Sequence, residues 1–250
     1  MRSAFIGEAA RLLVESRISG KLVTKLPDDS EPTSAAEAYA IQKAVIGRVG
    51  PLGAWKVGPV PAEPPIRFAP ILASTIFDSP ATLSSMRLTM IGIEAEVAFR
   101  LKYPLSSSQA PFSRSSVLDA IGSAHAAIEI VDTRYERWQA MSPLSILADN
   151  LCSGALVIGE SRPEWMRPDL SNTDLHVFVN GALAATPREN PGGDPIDLLR
   201  QLADHCAEQN LPLEAGCIAT TGSWTGLLFV PRDTRVEVRC GSISVASVLV

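Results

Sequence analysis

Hydrophobic residues fall on both parities of a two-residue period in two short stretches of this chain. The first is Gly92-Ile93-Glu94-Ala95-Glu96-Val97-Ala98-Phe99, inside an apolar run that predicts one long strand from Leu88 to Leu101. The second is Ala127-Ile128-Glu129-Ile130-Val131-Asp132. Both are rich in β-branched and small residues and bounded by breakers, as strands are. Apolar flanks on both parities predict a strand covered on both faces. Residues i and i+2 of a strand share a face, so Glu94 and Glu96 project side by side. Glu129, on the second strand, can bring a third carboxylate to the same place. Converging carboxylates in an apolar setting repel one another and lose hydration. A hard divalent cation removes both costs, and oxygen-only ligation favours Mg²⁺, Mn²⁺ or Ca²⁺ over zinc. Taken alone, Glu-x-Glu also fits a solvated strand face.

The rest of the pattern frames these strands. An amphipathic helix is expected over residues 3–17, mixing Phe5, Ile6, Leu12 and Leu13 with Glu8, Arg11 and Glu15. Ser34-Ala-Ala-Glu37 is a capping box opening a second helix that stops near Gly50-Pro51. Gly53–Gly58 reads as a short strand, followed by a proline-rich loop with Pro59, Pro61, Pro64 and Pro65. Residues 104–115 read as a Ser- and Pro-rich loop. Ser116 is expected to cap a short helix ending near Ser123, with another helical turn over Arg134–Met141 and a turn over Ala148–Gly154 before a strand. Asn180-Gly181 signals a hairpin. Asp194-Pro195 places an N-cap before a proline at N1 of a helix whose apolar face is Leu198, Leu199, Leu202, Ala203 and Cys206. Alternation returns at Val236, Val238 and Cys240 and after Gly241-Ser242. The expected class is α+β, with a helical N-terminal region that includes the Lys56 strand (1–80) and a β-rich metal-binding catalytic domain (81–250).

Composition narrows the function classes. The 250 residues are 46% hydrophobic and 20% charged, enough for a sizeable core and too apolar for disorder. The net charge of -5, with no basic cluster, argues against nucleic acid as a partner. No apolar run is long enough to cross a bilayer, and the N-terminus does not read as a signal peptide. Cys152, Cys206, Cys217 and Cys240 are scattered without a CxxC, as expected of reduced thiols in a cytoplasmic protein. His176 and His205 lack metal-ligand spacing and read as structural or surface residues.

Five markers in order then carry a family resemblance: Ala54-Trp-Lys-Val-Gly58, Ile93-Glu-Ala-Glu-Val97, Ala127-Ile-Glu-Ile-Val-Asp132, Asp149-Asn150 with Ser153-Gly154, and Thr221-Gly-Ser223 with Gly226. The chain resembles the 2-keto-4-pentenoate hydratase / 4-oxalocrotonate decarboxylase group of the fumarylacetoacetase superfamily, over nearly its whole length. The resemblance implies a mixed β-roll or β-sandwich core with a buried Mg²⁺ or Mn²⁺ on Glu94, Glu96 and Glu129. It implies Lys56 as the catalytic lysine, and Ser153, Thr221 and Ser223 as pocket or carboxylate contacts. The substrate would be a small 2-oxo or 2-hydroxy-dienoic acid from aromatic-ring breakdown, either hydrated or decarboxylated. The expected partners are further copies of the chain, in a homo-oligomer, and a pathway partner enzyme. The chain departs from the group at Arg67-Phe68-Ala69, where relatives usually carry an acid before an aromatic-Gly pair. Arg67 is suited to grip a second substrate carboxylate in a bidentate contact. Glu63 and Asp78 are the nearby acids outside the motif. The alternatives are a non-catalytic metal-binding relative and an acylpyruvate-type hydrolase. The hydrolase needs a His–Glu pair from the region before the metal ligands, where this chain has no histidine.

Overall fold

A computed structural model describes residues 2–60, 63–161, 174–187, 190, 192–211, 213–241 and 243–250, with the backbone alone at residues 2, 59, 60 and 63–65. Two helices open the chain, α1 (Arg2–Ser19) and α2 (Ala35–Val49). Ser34 Oγ accepts the Glu37 N–H at 3.3 Å, and the Glu37 carboxylate reaches back to the N–H and hydroxyl of Thr33. β1 (Leu52–Val60) and β2 (Glu63–Leu72) follow as an antiparallel pair, with Lys56 opposite Ala69 and Gly58 opposite Arg67. Most of the segment expected as a proline-rich loop is therefore strand. β2 lies at the edge of its sheet, where a missing N–H costs no ladder bond.

The remaining elements are β3 (Ile76–Asp78), β4 (Ala81–Thr82), β5 (Gly92–Leu101), α3 (Arg114–Ala120), β6 (Ile121–Val131), α4 (Pro143–Ala148), β7 (Ser153–Ile158), β8 (Leu175–Val179), β9 (Ala182–Ala185), α5 (Pro195–Glu208), β10 (Ile218–Ser223), β11 (Leu228–Phe229), β12 (Arg235–Cys240) and β13 (Ser244–Leu249). β5 begins at Gly92 rather than Leu88, because Asp132 Oδ1 takes the backbone N–H groups of Thr89 and Met90 at 2.9 Å each and keeps them out of the ladder. α3 is capped by Ser113, not Ser116; Ser113 Oγ accepts the Ser116 N–H at 3.1 Å. The helix ends where Ile121 joins the β6 ladder. The turn expected over Arg134–Met141 is a 3-10 turn at Trp138–Ala140. α4, which the pattern did not predict, is capped by Ser142 with Pro143 in its first turn.

The strands form a curled sheet in the order β2-β1-β10-β5-β6-β7-β3, with β11 paired to β5, and a second sheet in the order β4-β13-β12-β8-β9. Pairing is antiparallel except for β1 with β10, β3 with β7 and β4 with β13. One face of β5 and β6 (Ile93, Val97, Ile128, Ile130) shares a core with Val236, Val238 and Val248 of the second sheet and with Leu199 and Leu202 of α5. The other, concave face is plugged by small and aliphatic side chains: Ala54, Ile71, Ala98, Ala127 and Leu156. β5 is therefore covered on both faces, as its pattern predicts. A separate helical core joins Ala9, Leu13, Ile41 and Val45 to Tyr135 and Leu147. Among the described residues no helix is long and apolar enough to cross a membrane.

Candidate active site

Glu94 and Glu96 project from β5 onto the concave face, on the same side as Ala98. The β5–β6 register sets Glu94 opposite Glu129, and directly opposed residues point the same way. The three carboxylates meet, with an oxygen from each within 4.8 Å of the others. Glu96 and Glu129 are 1% and 0% exposed, and Glu94 is half-buried. A bulge in β10 completes the wall. Gly222, at φ +84°, turns its N–H onto Glu96 Oε2 at 2.8 Å. That left-handed conformation suits glycine and strains other residues.

Lys56 reaches this cluster from β1. Its ammonium forms a very short contact with Glu129 Oε1 and donates to the Leu151 carbonyl at 3.0 Å. Glu129 Oε2 is buried with no donor among the described residues. Burial pushes the Glu94 carboxyl up to about 7, with Lys56 opposing it. Burial and the neighbouring charges of Glu129 and Glu94 hold Glu96 well above the ordinary range. For Lys56, burial favours the neutral amine, but Glu129 and Glu94 outweigh it and keep the group protonated. The Lys56 pKa therefore rises above the ordinary lysine value rather than falling with burial. Three oxygen donors, one of them lacking a hydrogen-bond donor, fit a hard divalent cation.

The Leu151 carbonyl comes from an unusual turn. Asn150, Leu151 and Cys152 all have positive φ, at 54°, 51° and 56°. Arg134 and Asp149 hold this turn from behind as a buried ion pair. Arg134 also donates to the Asp149 carbonyl and the Ser153 carbonyl, at 2.9 Å each, and Asn150 Nδ2 donates to the Pro70 carbonyl at 3.0 Å. Neither Arg134 nor the Leu151 carbonyl was expected as part of the site. The Asp149-Asn150 marker was the available signal.

The other expected site residues are placed as follows. Arg67, two residues from the Lys56–Ala69 pair along β2, projects to the Lys56 side of the sheet by strand alternation. It is half-buried and pairs with no described carboxylate. Ser153 opens β7, and its carbonyl is taken by Arg134. The Thr221 hydroxyl donates to the Val97 carbonyl at 2.9 Å, and Ser223 Oγ donates to the Gly226 carbonyl at 3.2 Å. The segment's direct contact with the carboxylates is the Gly222 N–H. The Glu63 side chain lies outside the described residues. Asp78 is exposed, opposite Ile158 at the end of β3, away from the Glu129–Leu156 pair. His125 is four residues along β6 from Glu129, roughly 13 Å at the usual strand rise. It is bonded to Gly159 O and Ser123 Oγ. Trp55 and Trp224 pack in the core between the sheets.

No family model matches the chain. Curated proteins do. A 2-keto-4-pentenoate hydratase of Burkholderia vietnamiensis is 28% identical over 233 residues, covering 87% of this chain and 87% of that protein. A 4-oxalocrotonate decarboxylase of a Pseudomonas species is 27% identical over 250 residues, covering 94% and 93%. Among solved structures, 4-oxalocrotonate decarboxylase from Pseudomonas putida G7, complexed with magnesium and adipate, superposes with a TM-score of 0.86 at 21% identity, covering 100% of this chain and 98% of that one. Fumarylpyruvate hydrolase from Pseudomonas aeruginosa, with Mn²⁺ and pyruvate, gives 0.58 at 13% identity over 79% and 88%. The two structures share the fold of this chain, and the P. putida enzyme shares it end to end.

Proposed function

We propose that this chain, a relative of the 2-keto-4-pentenoate hydratases and 4-oxalocrotonate decarboxylases, is a divalent-metal-dependent lyase of small 2-hydroxy-dienoic and 2-oxo-enoic acids. The observation that carries the reading is the convergence of Glu94, Glu96 and Glu129 with the Lys56 ammonium on one buried face. The glutamates would hold Mg²⁺ or Mn²⁺. Such a cation supplies Lewis-acid stabilisation of negative charge on the substrate's 2-oxygen.

The chain's own groups do the rest. Lys56, fixed between Glu129 and the Leu151 carbonyl, adds a positive charge that needs no reorganisation. The plug of Ala98, Ala127 and Leu156 closes the site to water from below. Hydration of 2-hydroxypenta-2,4-dienoate begins with a proton shift to the unsaturated ketone. Water then adds to the far end of the double bond, giving 4-hydroxy-2-oxopentanoate. Decarboxylation of 2-oxo-3-hexenedioate places negative charge on the same oxygen, so the same residues serve it. Hydration is the first reading. Arg67 supports decarboxylation as the second, because an uncommitted guanidinium on the Lys56 side of the sheet matches a second carboxylate. The position of His125 counts against hydrolysis.

The test follows the ultraviolet absorbance of freshly generated 2-hydroxypenta-2,4-dienoate with purified protein, in Mg²⁺ and in EDTA. Metal-dependent loss of the chromophore with 4-hydroxy-2-oxopentanoate as product supports hydration. CO₂ release from 2-oxo-3-hexenedioate, with the dienoate untouched, moves the assignment to the decarboxylase. Neither reaction, with Mg²⁺ bound, refutes the lyase reading.

A further inference from the structure

A second cavity, of about 460 Å³, opens between the ends of α1 and α2, the turn after β2, the 86–89 segment and residues 132–134. Its charge is lopsided. Arg17, Arg48, Arg87 and Arg134 line it, against the single acid Asp132. Arg134 is neutralised by Asp149. Asp132 Oδ1 is held by the N–H groups of Thr89 and Met90 and by the Thr89 hydroxyl, neutral donors that leave its one negative charge in place. Arg17, Arg48 and Arg87 remain, and none forms an ion pair with a described residue. Arg17 donates to the Ser153 carbonyl at 3.2 Å, which Arg134 already occupies, and Arg87 donates to the Ser19 carbonyl at 3.2 Å.

Arg17 is the half-buried member of the three, while Arg48 and Arg87 are exposed. Burial and the nearby Arg134 push the Arg17 guanidinium down to about 9. A cation held in that condition gains from an anion. The guanidinium fork matches a carboxylate or phosphate in two parallel bonds. The remaining wall decides the class of ligand. Ile18, Leu22, Met86 and Leu88 give it an apolar side, and no aromatic ring lines it to stack a base. None of Lys56, Glu94, Glu96 and Glu129 lines it either, so it is separate from the carboxylate cluster.

We propose that this cavity is a second binding site, for a short aliphatic carboxylate, with Arg17 at its floor, Arg48 and Arg87 at its rim and the hydrocarbon chain against Ile18, Leu22, Met86 and Leu88. The residues that would hold this ligand are not those that serve the reaction proposed above.

The test is calorimetric titration of the full-length protein with hexanoate in EDTA, so that the glutamate cluster cannot recruit the acid through a metal. Inorganic phosphate is run in parallel. Saturable hexanoate binding is expected, weakened about tenfold or more in the Arg48→Ala/Arg87→Ala double variant. Both of those residues are exposed, so the variant should fold as the wild type does. Arg17→Met should weaken binding further. Absence of saturable heat up to about 10 mM hexanoate overturns the proposal. So does binding that both variants leave unchanged, and so does phosphate binding tighter than hexanoate.

Discussion

The two oxygens of Glu129 are in opposite circumstances. One carries the Lys56 ammonium, and the other is buried with no donor among the described residues. A buried carboxylate oxygen left in that state is costly, and ionising Glu96 beside it adds like charge, which together with burial holds the Glu96 carboxyl well above the ordinary range. Glu96→Gln should remove that charge and one donor together. Mn²⁺ binding is expected to disappear while far-ultraviolet circular dichroism stays that of the wild type; undiminished Mn²⁺ binding by electron paramagnetic resonance would sink the ligand assignment. Lys56→Ala should keep Mn²⁺ and lose the rate by about 10²–10³, the usual cost of one preorganised charge-stabilising donor. Wild-type turnover in that variant would remove Lys56 from the chemistry. Glu94 and Glu96 were legible in the sequence because strand alternation fixes which side chains share a face; Glu129 joins them through the β5–β6 register, which no single strand's pattern fixes. The Leu151 carbonyl was not, since it is a backbone group 95 residues from its lysine.

At the scale of elements, the turn at residues 150–152 is the costly piece. Left-handed backbone costs roughly 1–2 kcal/mol per residue outside glycine, and three such residues stand in a row. The Arg134–Asp149 pair and the Asn150–Pro70 bond hold them there. Asp149→Ala leaves Arg134 buried without its counter-charge, so a loss of about 3–5 kcal/mol is expected in urea denaturation. A loss under about 1 kcal/mol would mean that the turn is held by other contacts. The contact between α5 and α2 gives a pH-dependent counterpart. The His205 ring lies 4.5 Å from Tyr39 and 4.7 Å from Phe68, and burial lowers its pKa from 6.5 to about 4. The unfolded chain then binds more protons than the folded one across that window. The contribution of His205 is complete above about pH 6.5 and is lost as pH falls toward 4. Melting temperature should therefore fall more steeply over this range in the wild type than in His205→Gln; parallel curves would refute the linkage. Elements set by local chemistry were legible: the Ser34 and Asp194 caps and the Asn180-Gly181 turn all formed as expected. β2 was not, because edge position, which excuses its prolines, is a property of the assembled sheet.

For the whole molecule, the carboxylate cluster stands on central strands of the curled sheet that are covered on both faces. β5 and β6 carry the glutamates on one face and the core against the second sheet on the other. β1 brings the lysine, and the β10 bulge brings the Gly222 N–H. Bringing these four strands together forces three carboxylates into one buried place, so in the metal-free protein folding is opposed by their repulsion. A cation that binds only the assembled cluster stabilises the fold by mass action, about 2.7 kcal/mol at a hundredfold excess over its Kd. For a chain of 250 residues that is a rise of roughly 5–10 °C in melting temperature, at about 2–4 °C per kcal/mol. Mn²⁺ should produce this shift in the wild type and in Lys56→Ala, and not in Glu96→Gln. The Lys56 variant matters most, because there the metal's effect on the fold is separated from any effect on turnover. A shift of equal size in Glu96→Gln would place the cation elsewhere in the molecule. No shift in any of the three would leave the glutamates as a cluster held by Lys56 and the Gly222 N–H without a metal.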